Sequence, residues 1–283
     1  MDASLASLLL VVTGVGMGGG LAVVTLHPFL TLWECMAIAS PLGLTLSTWI
    51  AVLLKTTLFR AVAGLPASLG LVTVMIQVAI TLVCFLKKRR AWKSIDNRAV
   101  VASSLHFAVP FLILSAFGAW LGYLHYTHSL LEIDGRYYVG GTTYGDLPFH
   151  LTIITSLLHG NNQYATPLTS GLQATFFADS PLVYPWIPDY HVALVAGSGS
   201  SLHFALSVPG TLLTASFFFL TFALNFGMVQ SRVVSIVSVL ITFFAGRCWK
   251  LLLAHLRRNL DRFEGRGSHI GQPSDLKDQV GLV

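Results

Sequence analysis

Charge is what this sequence has least of. Asp, Glu, Lys and Arg make up only 10% of its 283 residues, against 54% hydrophobic residues and a mean hydropathy of +0.72. That balance excludes a soluble globular domain, because too little polar surface remains to face water on all sides. It fits an all-α, polytopic transmembrane helical bundle with spans of about 20 apolar residues each. Cysteine is also scarce. Cys35, Cys84 and Cys248 lie within or at the ends of apolar runs, and none stands in a CxxC or Cys/His cluster. This excludes a disulfide frame and a cysteine zinc site. The chain opens Met1-Asp2 without a basic segment, so no cleavable signal peptide is expected. There is no Asn-x-Ser/Thr sequon and no internal repeat. The formal charge of +5 points to no nucleic-acid partner, since its placement reports membrane orientation instead.

Residues 1–126 are expected to form a four-span membrane region, with spans near 5–26, 35–54, 67–86 and 100–126 and Pro110 as a kink site in the fourth. The first span carries Gly14, Gly16, Gly18, Gly19 and Gly20, which formally include GxGxxG. No strand precedes it, so the glycines read as surfaces for close helix packing. Lys87-Lys88-Arg89-Arg90, with Lys93 and Arg98 behind, marks a cytoplasmic connection. Residues 127–182 form a long loop whose only basic residue is Arg136, which predicts the extracytoplasmic side. Residues 183–246 are then expected to hold three spans, and 247–283 a basic cytoplasmic tail. Two of those spans, 202–229 and 233–244, are plainly apolar. The third, 181–197, is short and proline-rich. Counting it as a crossing places 13 of the 17 basic residues on one face and gives seven crossings, with the N-terminus outside. A broken span of that kind needs protein or a water-filled cavity around its free backbone groups.

The polar residues of the extracytoplasmic side concentrate in YGDLPFHLTIITSLLHGNN, residues 144–162. Pro148 suits the first turn of a helix, where its missing N–H costs nothing. Asp146 then falls at or near the N-cap, where the free N–H groups and helix dipole favour a carboxylate. His150 lies four residues on, about one turn from that carboxylate. Leu151, Ile153, Ile154, Leu157 and Leu158 make the apolar face of an interfacial helix that stops at Gly160. A capped interfacial helix with no further role has the same pattern.

This stretch, followed by PLVYPWIPDYHVALVAGSGSSLHFALSVPGTLL, resembles the GT-C superfamily of membrane glycosyltransferases. The likeness is to the branch that uses polyprenyl- or dolichyl-phosphate sugars and includes protein O-mannosyltransferases. It covers roughly residues 144–246, and the order and spacing of the pieces carry it. The resemblance implies sugar transfer from a lipid-phosphate donor to an acceptor hydroxyl on the extracytoplasmic side. Asp146 matches the family's first-loop acid, which serves as base or binds a metal. Tyr184, Pro185 and Asp189 match the motif of the short span by position. The membrane implied is the endoplasmic reticulum of a eukaryote or the plasma membrane of a prokaryote. Such enzymes have more spans, so the resemblance implies a truncated member and leaves room for a partner membrane subunit.

The chemistry needs a base for the acceptor hydroxyl and positive charge for the leaving phosphate. Asp146 is the candidate base. Arg136 is the only cation of the loop, and His150 is placed to orient Asp146, bind the donor or share a divalent metal with Asp146. Two ligands alone are a weak metal signal. Asp189 and His191 form a second polar pair in an apolar setting, where ionisable groups are costly and tend to be functional. Two other readings stay open: a non-catalytic membrane scaffold, and a transporter, since broken helices with buried polar groups also line substrate paths. The charge pattern makes one prediction. Single cysteines placed in 87–98 and in the tail should label from the cytoplasmic face, and cysteines in 127–184 from the other. Labelling of 87–98 and 127–184 from the same face would overturn the charge-based orientation.

Overall fold

The computed structural model describes residues 4–27, 30–92, 97–128, 130–134, 136–139 and 146–243. The chain is an all-α helical bundle. Its elements are α1 (Leu5–Thr25), α2 (Leu32–Thr57), α3 (Ala67–Trp92), α4 (Asn97–His128), β1 (Leu131–Ile133), β2 (Arg136–Tyr138), α5 (Asp146–Leu158), α6 (Ile187–Gly197), α7 (Leu202–Val229) and α8 (Arg232–Phe243). Five stretches are long and apolar enough to cross a membrane: Leu5–Thr25, Leu32–Thr57, Ala67–Lys88, Ala108–His128 and Leu202–Val229. This is an integral membrane protein. The starts of α1, α2 and α7 carry side-chain caps. Ser4 accepts from the Ser7 N–H and Ser201 from that of Phe204, while Thr31 and Glu34 close a capping box on α2.

Small residues let α1 and α2 touch backbone to backbone. A Cβ added to Gly18 would stand 2.1 Å from the Ala39 carbonyl oxygen, and one added to Gly43 would stand 2.0 Å from that of Gly14. In lipid there is no hydrophobic gain from burying Leu against Leu, so such close contact is what holds helices together. Gly16 differs, since a Cβ there meets nothing within 4 Å. Deeper in the same interface Gln77 of α3 donates to the Ser47 hydroxyl and accepts from that of Thr13. This polar contact joins three helices.

The structure corrects the expected short crossing at 181–197. Only Ile187–Gly197 of it is helical, the 11-residue α6, and a rise of roughly 16 Å is only about half a bilayer core. Both its ends lie at one end of the bundle. Near its start Asp189 bonds to His150 of α5. At its finish the Ser198 carbonyl accepts from Ser4, the N-cap of α1, at 2.6 Å. Gly197 and Gly70 allow this fit. Cβ atoms there would stand 2.0 Å from the Leu65 carbonyl oxygen and 2.1 Å from Ser198 Oγ. The chain leaves α6 through Gly199 at φ 100°, a conformation that suits glycine. In the long loop the chain also builds the antiparallel β1–β2 hairpin, turned by Asp134 at φ 50°. The expected tail and Cys248 lie outside the described residues.

Gly18→Ala should cost about 1–3 kcal/mol, the scale of overpacking a tight interface. Gly16→Ala should stay within about 0.5 kcal/mol of wild type. Thermal unfolding in one detergent checks both. Equal losses would mean that α1 and α2 do not meet at Gly18.

Candidate functional site

The N-terminal end of α1, the C-terminal end of α2, the start of α3, the end of α4 and the start of α7 meet at one end of the bundle, and α5 and α6 cap it. α5 turns Ile153, Ile154, Ser156 and Leu157 inward, the face expected from its apolar spacing. Two anchors hold it. The Lys55 ammonium, buried at the last turn of α2, donates to the carbonyls of Val62 and Gln163, and the Gly64 N–H also bonds the Gln163 carbonyl at 2.8 Å. Asn162 clamps the following loop. Its amide donates to Ser156 and to the Gln173 carbonyl, and its oxygen accepts from the Gln173 N–H.

His150 projects from α5 toward α6. Its Nδ1 lies 2.8 Å from Asp189 Oδ1. The two side chains differ sharply in exposure, 30% for His150 and 5% for Asp189. Asp189 stands in the first turn of α6, just after Pro188, where the helix dipole favours a carboxylate. Burial nevertheless raises its pKa, opposed by the charge of His150 and by the hydrogen bond to it. With Asp189 ionised, the shared proton sits on His150 Nδ1 and the lone pair is on Nε2. A buried acid thus fixes the orientation and tautomer of a partly exposed imidazole. Aromatic rings frame it. Tyr184 lies 5.7 Å from the His150 ring and 4.9 Å from Phe149, and Phe176 stacks on Phe149 at 5.5 Å.

The structure changes the expected pairings. His150 does not pair with Asp146. Asp146 is exposed in the first turn of α5 and makes no hydrogen bond or ion pair with a described residue, while Gly145 before it lies outside them. Nor do Asp189 and His191 pair. Two residues apart on a helix, they point to different sides. His191 Nδ1 meets Thr48 Oγ1 of α2 at 2.9 Å. Thr48 gives its own proton to the Leu44 carbonyl, so His191 Nδ1 is the donor and Nε2 is bare. Burial pushes the His191 pKa down to about 4, which keeps it neutral at physiological pH. The Tyr184 ring stands beside that of His150. Arg136 stands exposed on β2 and makes no ion pair with a described residue.

Asp189 Oδ2, Tyr190 Oη and His191 Nε2 are buried and without partners among the described residues. Three such atoms in succession are unusual, since buried polar groups are nearly always satisfied. Among the described residues no group of three or more His, Cys, Asp or Glu could hold a metal. The pair that spacing suggested for a divalent metal was Asp146 with His150, and His150 bonds Asp189 instead. The partners that the sequence alone did not single out are Thr48 and Lys55. Lys55 had a signal, a lone cation in the last turn of an apolar helix; Thr48 had none. No family model, curated protein or solved structure matches the chain.

The raised pKa of Asp189 has a definite sign. The folded state binds this proton more tightly than the unfolded chain, so its contribution to stability is present below the ordinary carboxylate pKa and is lost as pH rises. Asp189→Asn keeps the shape and removes the buried charge. It should unfold at a higher temperature than wild type at pH 7, with the gap closing toward pH 4. A variant less stable than wild type at pH 7 would show that the ion pair, not the cost of burial, dominates.

Proposed function

We propose that this protein is a membrane transferase of the GT-C kind, moving a sugar from a lipid-phosphate donor to an acceptor hydroxyl on the extracytoplasmic side, with His150 as the base. The observation that carries this reading is the His150–Asp189 pair, an oriented imidazole whose second nitrogen is open while its acid is buried behind it. That is the arrangement general-base catalysis needs. The acceptor oxygen bonds to the anomeric carbon of the sugar as the bond from that carbon to the donor phosphate breaks. The acceptor proton passes to His150 Nε2, and the electron pair leaves with the lipid phosphate. Asp189 stabilises the imidazolium that forms. The rings of Phe149, Phe176 and Tyr184 supply apolar walls beside the polar centre, the usual make-up of a small-molecule site. Asp146, one turn earlier on α5, takes the role of an acceptor-binding acid.

The chain should be assayed in liposomes with polyprenyl- or dolichyl-phosphate sugars. His150→Gln should lower transfer by roughly 10²- to 10⁴-fold, the range of a lost general base. Asp146→Asn should cost less, because it binds but does not take the proton. The reverse ranking would make Asp146 the base. Wild-type protein inactive with every donor would remove the enzyme reading and favour a non-catalytic scaffold.

A further inference from the structure

Two apolar cavities lie at the other end of the bundle, away from His150. The first, of about 340 Å³, opens between α2, α4 and α7 and includes Trp33, Phe111 and Phe219. The second, of about 310 Å³, opens between α1, α2 and α3. Gly16, Gly19 and Gly20 line it on the α1 side, and Lys88 stands at its rim near the end of α3. A single residue, Met36 of α2, lines both cavities and is 56% exposed. The two hollows therefore run along either side of one ridge on the outside of the bundle.

Their chemistry identifies the occupant. Both are lined by membrane-spanning helices, and their linings are mostly apolar. An apolar cavity stays dry and takes an apolar guest. The second cavity is open at Gly16, where an added Cβ would meet nothing within 4 Å, while one on Gly19 or Gly20 would touch Ala39 or Cys84. Among the described residues the only cation on the lining is Lys88, which Lys87 precedes and Arg89 and Arg90 follow in sequence. Such a basic run at a span end attracts anionic lipid headgroups. Glu34, at the rim of the first cavity, is already engaged. Its Oε2 accepts from the Thr31 N–H at 2.7 Å and from the Thr31 hydroxyl at 2.8 Å. We infer that one two-chain anionic phospholipid straddles Met36, with one acyl chain in each cavity and its phosphate on Lys88. This site is separate from the His150–Asp189 centre and does not rest on the transferase reading.

The test uses the full chain in nanodiscs containing phosphatidylglycerol or phosphatidylcholine with a diazirine on the acyl chain. After irradiation, adducts are mapped by peptide mass spectrometry, and native mass spectra are recorded from mild detergent. Adducts should concentrate on the α2 segment around Met36 and on the walls of both cavities. Native spectra should retain one phosphatidylglycerol per chain. Lys88→Ala should weaken phosphatidylglycerol retention about fivefold, the effect of one surface lysine, and leave phosphatidylcholine unchanged. Gly16→Leu should remove the adducts of the second cavity while those of the first remain. Adducts spread evenly over lipid-facing residues such as Leu82 would mean annular lipid only and overturn the site. So would equal retention of the two lipids, or a dimer without lipid, which would assign this face to a second copy of the chain.

Discussion

A backbone end buried in a membrane protein must find its hydrogen bonds inside the protein, because hydrocarbon supplies none. α6 puts that constraint at the centre of the structure. It is too short to cross, so its start and finish have to be satisfied at the same end of the bundle. The N-cap of α1 serves the carbonyl of Ser198, the C-cap of α6, and glycines in α3 and in α6 itself let the elements close up. The depth at which α6 settles then sets the positions of Asp189 and His191. It also decides where α5 docks.

The two ends of the bundle consequently do different things. At one end buried polar groups accumulate: Asp189, His191, Lys55 and Asn162, each tied to another element. At the other end the interior is apolar and hollow, and the charges stand on the rim. Three buried polar atoms of α6 without partners among the described residues add a cost that packing alone would not maintain. Groups of that kind concentrate at functional sites, where perturbed titration and incomplete satisfaction serve chemistry. The His150–Asp189 pair stands at that end, half in the protein and half open.

Parts of the site could be read from residue spacing. The helix over Asp146–Leu158 follows from the acid and proline at its start and from the 3.6-residue spacing of Ile153, Ile154 and Leu157. The close packing of α1 follows from its glycines. What misled was adjacency in sequence. Asp146 and His150 sit one turn apart, and Asp189 and His191 two residues apart, so each looked like a pair. In the fold, His150 and Asp189 meet across 39 residues, and His191 meets Thr48 across 143. Charge counting misled in a similar way. It asked for one more crossing and assigned it to 181–197, but only Ile187–Gly197 of that stretch is helical, and 11 residues are too few to cross.

By itself the sequence determined that this is a membrane protein, which stretches become long apolar helices, and that the polar residues of 146–162 gather around a short helix outside them. Those properties depend on composition and local periodicity, which act within a few turns of chain. Only the tertiary structure decided that α6 caps the bundle instead of crossing it, that Asp189 serves His150, and that Lys55 and Thr48 hold the assembly. Those outcomes depend on which helix ends converge. That is set by backbone contact through glycines and by hydrogen bonds between distant residues, and neither leaves a periodic trace in the chain.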